Sequence, residues 1–112
     1  MATKILKVDL SPLKAQELLE QKIEDAVTFS DAYDLGDGKY LFITAYERFY
    51  MRNNSVTGLL VICENTTGQT QIKLSNTGGA IGAFLSDLGA GKSFITDVEQ
   101  LFKPYLITSE EK

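Results

Sequence analysis

A chain of 112 residues, 44% hydrophobic and 23% charged, can fill one core but not two, and it buries enough apolar surface to fold unaided. A net charge of -4, with the 11 basic side chains scattered rather than clustered, argues against a phosphate-reading surface and so against nucleic-acid partners. The absence of histidine removes the commonest general base, the usual nucleophile pairs and the usual zinc ligands, so no catalytic set, metal or cofactor is expected.

The segment Ile5–Leu10 alternates, with Leu6, Val8 and Leu10 on one side, which is the period of a strand. Ser11-Pro12 then starts a helix over Pro12–Glu24, since serine caps free backbone N–H groups and proline suits the first helical position. Its apolar stripe is Ala15, Leu18, Leu19, Ile23 and Ala26, with Glu17, Glu20, Gln21 and Glu24 facing outward. Val27, Phe29 and Tyr33 mark a second strand, which Gly36-Asp37-Gly38 turns into a hairpin. The following strand, Lys39–Tyr50, carries Leu41, Ile43 and Ala45 on one face and Tyr40, Phe42, Tyr46 and Tyr50 on the other. Val56–Glu64 reads as a central strand, and Gln69–Ser75 as a strand with one wet face.

Gly78-Gly79 opens a glycine-dotted stretch in which residues 80–85 are long enough for one more short strand. The last stripe, Phe94, Ile95, Val98, Leu101, Phe102 and Tyr105, predicts a helix after Ser93, with Thr96 and Glu99 as a capping box if it starts later. Pro104 ends or kinks it. The expected organisation is one α+β domain over residues 1–107 and a disordered tail over 108–112. Its fold class is a two-layer, mostly antiparallel sheet of five or six strands, ordered β-α-β-β-β-β-(β)-α, with two helices on one face.

Each local signal for chemistry has a plainer explanation. Leu88-Gly89-Ala90-Gly91-Lys92-Ser93 approaches a phosphate loop, but Ser86 stands where the first glycine is required. Asp31, Asp34 and Asp37 are three apart, whereas a calcium loop wants oxygens two apart, so turn chemistry explains them better. Cys63, inside an apolar strand, reads as an inert buried thiol. Glu47 and Glu64 would serve acid/base catalysis only if the fold brought them together. The densest candidate is the strand face of Tyr40, Phe42, Tyr46, Arg48 and Tyr50, a surface for a ligand or a partner if nothing in the chain covers it.

On the strand Tyr46-Glu47-Arg48, the step Gly78-Gly79 and the helix entry Gly91-Lys92-Ser93-Phe94, the chain resembles a family of small proteins from Gram-positive bacteria catalogued as a domain of unknown function. The resemblance spans nearly the whole chain and implies a free-standing bacterial cytosolic domain, without implying an activity. No apolar stretch reaches the ~20 residues of a membrane span, and Met1–Val8 lacks a signal peptide's apolar run, so a cytoplasmic location with no membrane partner is expected. The first functional expectation is a non-enzymatic interaction domain, a homodimer associating through the aromatic sheet face. The alternative is a binder of a small apolar or anionic molecule, with its pocket between the sheet and the C-terminal helix. An enzyme using carboxylates or tyrosines ranks last.

Overall fold

In the computed structural model, which describes residues 3–50, 55–78 and 90–111, strand β1 (Thr3–Val8) leads into helix α1 (Pro12–Lys22). Four strands follow, β2 (Ala26–Gly36), β3 (Lys39–Tyr50), β4 (Ser55–Glu64) and β5 (Gln71–Gly78). Helix α2 (Ala90–Phe102), a 3-10 turn (Lys103–Tyr105) and strand β6 (Leu106–Glu111) complete the chain. The strands form one antiparallel sheet in the order β2-β3-β4-β5-β1-β6. This is the α+β architecture that the alternation of strand and helix patterns predicted.

Local chemistry accounts for the boundaries. Ser11 caps α1 by accepting the Lys14 N–H at 3.2 Å, and Pro12 occupies the first turn, where its missing donor costs nothing. The helix stops at Lys22, short of the predicted Glu24, because Ile23 is already extended (φ -95°, ψ 111°). Ala26, expected on the helical stripe, instead opens β2. The early exit frees Asp25 to reach the sheet, as described below. At the hairpin, Asp37 (φ 55°) and Gly38 (φ 76°) both lie in the left-handed region that a type I′ turn requires.

Two expectations at the C-terminal end are corrected. The last helix begins at Ala90, about one turn before Ser93, so Thr96 and Glu99 lie within it rather than at a cap. Glu99 instead pairs with Lys4 of β1 at 2.8 Å. The segment expected as a disordered tail over 108–112 supplies most of β6, which pairs along β1 from Val8 to Lys4. Its backbone hydrogen bonds outweigh the polarity of its side chains, which are exposed throughout. The strand expected at residues 80–85 lies outside the described residues.

Both helices pack on the same face of the sheet, α1 over β3 and β4 and α2 over β4 and β5. The core lies between the layers, with Leu19, Phe94, Val98 and Phe102 from the helices meeting Leu6, Tyr46, Val61 and Leu74 from the sheet. Tyr46 belongs to this covered face, as do Thr44, Leu59 and Ile72. The residues of β2, at the edge of the sheet, are all exposed. The face carrying Leu41, Ile43, Leu60 and Ile62 has no layer over it among the described residues.

Cys63 on the covered face of β4 is fully buried, and burial pushes its thiol from an ordinary 9.0 up to about 12. Between those limits unfolding releases a proton, so stability falls as pH rises, by up to about 1.4 kcal/mol per unit. Urea midpoints followed through that window are expected to decline more steeply for the wild type than for Cys63→Ala. Equal slopes would refute the neutral buried thiol.

Candidate functional site

The aromatic face of β3 is covered by the chain's own helix where it passes the middle of the strand. Tyr46 is 2% exposed, with its ring 6.2 Å from that of Phe94 on α2 and inclined at 60°. Burial, aided by the nearby Cys63, Glu20 and Asp25, pushes its hydroxyl up to about 12, so it stays neutral. Arg48 lies next on the same side of the strand with its guanidinium 4.1 Å from the centre of the Phe94 ring. Its Nε and Nη2 donate to the two oxygens of Asp25 at 2.7 and 2.8 Å, and its Nη1 donates to Asp97 at 2.7 Å.

That arrangement joins three elements, since Asp25 sits at the α1–β2 junction and Asp97 on α2. A planar guanidinium is suited to it, because one face stacks on the ring while its edges donate to carboxylates. Sequence reasoning singled out Arg48 but neither aspartate. Asp25 falls just past the predicted helix end at Glu24, and Asp97 lies between the apolar positions Ile95 and Val98 of the last helical stripe, so neither belongs to any pattern that marks a site. Of the remaining candidates, Tyr40 is 37% exposed and stacks on Phe42 with ring centres 6.4 Å apart, while the Tyr50 side chain lies outside the described residues.

Tyr40 and Phe42 also line a cleft of about 290 Å3 with Ser11, Pro12, Leu13, Gly38 and Asn65. It lies beside the start of α1, a different place from the pocket expected between the sheet and the C-terminal helix. Its lining is mostly apolar, and the Asn65 side chain is already used, accepting the Tyr40 N–H at 2.8 Å and donating to the Gly38 carbonyl at 3.0 Å. The stretch that would need to hold a polar ligand therefore offers few free groups.

The two carboxylates considered for catalysis do not meet. Glu64 sits opposite Leu41, and Glu47 opposite Gly58, so they lie roughly 20 Å apart along the ribbon at ~3.3 Å per residue. Glu64 is 3% exposed, accepts the N–H and O–H of Thr66 at 2.9 and 3.1 Å, and lies 3.3 Å from the Lys73 ammonium. It shapes a turn. Among the described residues no three His, Cys, Asp or Glu side chains are grouped to hold a metal ion.

The uncovered face of the sheet is more distinctive. One row crosses it as Asp31, Ile43, Ile62, Lys73, Ile5 and Glu110 on β2, β3, β4, β5, β1 and β6. A neighbouring row reads Phe29, Ala45, Leu60, Ser75 and Thr3, and the other neighbouring row begins Tyr33, Leu41, Glu64 and Gln71. Phe49 and Val56 pair farther along β3 and β4. Phe29, Tyr33, Phe49 and Val56 are 54%, 45%, 56% and 43% exposed. Sequence alone showed apolar bulk on both sides of β3, but not which side the helices would leave open.

The edges beside this face are guarded. Asp31 accepts the Ala32 N–H at 2.9 Å and the Tyr33 hydroxyl at 2.6 Å, and these two bonds, the hydroxyl first, hold its carboxyl below its ordinary value. Asp34 accepts the Gly36 N–H at 3.0 Å. Asp31 and Asp34 thus place carboxylates along the edge strand β2, and charged side chains blunt an edge against pairing. At the far edge, β6 ends in Glu110 and Glu111.

Residues 5–106 match the model of DUF6054, a family of unknown function. The chain belongs to this family. No curated protein and no solved structure matches it. The match covers most of β1, both helices, β2 to β5 and the first residue of β6, so the Arg48 junction and the part of the open face on β2 to β5 fall within it. No helix among the described residues is long and apolar enough to cross a membrane.

The Arg48 junction is a structural fastening with a measurable strength. Arg48→Met is expected to cost about 2–3 kcal/mol in denaturant unfolding, because it leaves the partly buried Asp25 carboxylate without its cation and removes the bond to the half-exposed Asp97. Arg48→Lys should recover less than half of that loss, since an ammonium cannot pair bidentately with Asp25 while stacking on Phe94. Full recovery by lysine would show that only the charge matters.

Proposed function

We propose that this DUF6054 protein is a non-enzymatic, bacterial cytosolic interaction domain that self-associates through the open face of its sheet. The observation that carries the reading is the concentration of half-exposed aromatic and aliphatic side chains on that face, beside an edge strand charged by aspartates. An aromatic side chain brings ~150–250 Å2 to an interface, so Phe29, Tyr33 and Phe49 with their aliphatic neighbours present several hundred Å2. Exposed patches of about that size on soluble proteins are commonly functional. The resemblance to proteins of Gram-positive bacteria supports the cellular setting. The lack of converging acid, base and nucleophile among the described side chains favours binding over catalysis.

Sedimentation velocity over a wide concentration range tests this directly. The wild type is expected to associate, and Ile62→Asp to weaken that association about a hundredfold or more, ~3 kcal/mol, by placing unpaired carboxylates in an apolar contact. Ile62 is only partly buried, and Lys73 stands next to it across the β4–β5 pair, so the variant should retain its far-UV and near-UV dichroism. A wild type that stays monomeric at every concentration would sink the reading.

The cleft at Tyr40 and Phe42 favours a second reading, capture of a small apolar molecule. Its stacked rings and the exposed Leu13 would clasp a flat apolar group. Under that reading, a naphthalene-based fluorescent probe should bind the wild type saturably and lose affinity at least tenfold in Leu13→Glu. Binding unaffected by Leu13→Glu would remove the cleft from consideration.

A further inference from the structure

We infer that the occupant of the open face is a second copy of this chain, related to the first by a two-fold axis running along the strands between β3 and β4. The inference rests on the self-association reading and adds to it the orientation and the residues that enforce it. It begins from the charge pattern of the central row, Asp31-Ile43-Ile62-Lys73, contributed in order by β2, β3, β4 and β5. This row is complementary to its own reverse. The two central residues are isoleucines, and the two outer ones carry opposite charges.

A two-fold along the strands lays β3 of one copy over β4 of the other, and β2 over β5. Within the central row Ile43 then meets Ile62, and Asp31 meets Lys73, and symmetry provides each contact twice, as an isologous interface requires. In the neighbouring row, Ala45 faces Leu60, a small side chain against a large one, and Phe49 faces Val56 farther along. Leu41 faces Glu64, whose carboxylate is turned aside to Thr66 and Lys73 and is almost wholly buried. No free carboxylate opposes an apolar group at that point.

The charges also discriminate between axes. A two-fold running across the strands would lay β3 on β3 and bring Asp31 against Asp31 and Lys73 against Lys73 at the level of the central row. Like charges placed face to face suppress that alternative. Edge-to-edge pairing of β2 is opposed by the charges of Asp31 and Asp34 on that edge strand. Both charged partners are reachable, since the Lys73 side chain is 42% exposed despite its contact with Glu64, and Asp31 lies on the exposed strand β2.

The contact is also large enough. Four overlapping strands, spaced ~4.8 Å apart and rising ~3.3 Å per residue, project about 500 Å2 per copy. Side-chain relief brings this toward the ~800 Å2 per partner of a standard stable interface. Two sheets packed in this way form an aligned sandwich, with the helices on the two outer sides.

Charge reversal in full-length protein, read by native mass spectrometry and sedimentation equilibrium, tests the orientation. Asp31→Lys and Lys73→Glu, the latter made together with Glu64→Gln because Lys73 pairs with the buried Glu64 of its own chain, should each weaken the homodimer about tenfold, because each creates two like-charge contacts. Mixing the two variants should restore a heterodimer of wild-type affinity, because every Asp31–Lys73 position then holds opposite charges. This recovery cannot come from repair of local structure, since each chain keeps its own substitution. If the wild type dimerises but the mixture does not recover, the orientation is overturned while self-association stands. If the wild type is monomeric, both fall.

Discussion

Helix α2 lies across β4 and β5, and the Arg48 guanidinium fastens it to the rest of the molecule. By stacking on Phe94 and bonding to Asp25 and Asp97, that one group ties β3 to the helix and to the point where the chain leaves α1. The exit from α1, the start of β2 and the placing of α2 are therefore mutually dependent. Partial burial makes the junction strong but conditional, because charges withdrawn from water need all their partners present.

With both helices drawn to one side, no layer among the described residues covers the other face of the six-stranded sheet. The covered side holds the large buried residues, and the open side keeps Ile43, Ile62, Phe29 and Phe49 in partial contact with water. Covering this side with a second sheet would remove apolar area at roughly 25 cal/mol per Å2, although much of that gain is offset by the cost of association. The edges and the face are treated differently. Aspartates place negative charge along β2, while the face itself is left apolar with one positive and one negative flank.

The aromatic strand shows how an apolar pattern can be read correctly and still leave function undecided. Tyr46 and Arg48 have the composition of a recognition surface, yet the ring of Phe94 occupies the space above them. Tyr40 and Phe42 lie beyond the helix on the same strand and border a cleft instead. Four positions on one strand face thus divide into a core contact, an ion-pair junction and a pocket wall. The division follows from where α1 and α2 end, not from residue type.

Local physics made much of the fold legible in the sequence. The Ser11-Pro12 helix start, the Asp37-Gly38 turn, the alternation along β1 and β5 and the helical stripe of Phe94, Val98 and Phe102 each depend on neighbours within one element. The α+β class and the buried Cys63 followed from the same patterns. The tertiary structure alone decided the features that depend on distant partners. Residues 108–112 looked like a polar tail because the pairing of 108–111 rests on backbone bonds to β1, which side-chain polarity does not record. Likewise, Asp25 and Asp97 became ligands of Arg48, and Glu47 and Glu64 were kept apart, through strand register and helix placement. Alternation specifies that a strand has two faces. Only the positions of the helices determine which face becomes core and which remains available to a partner.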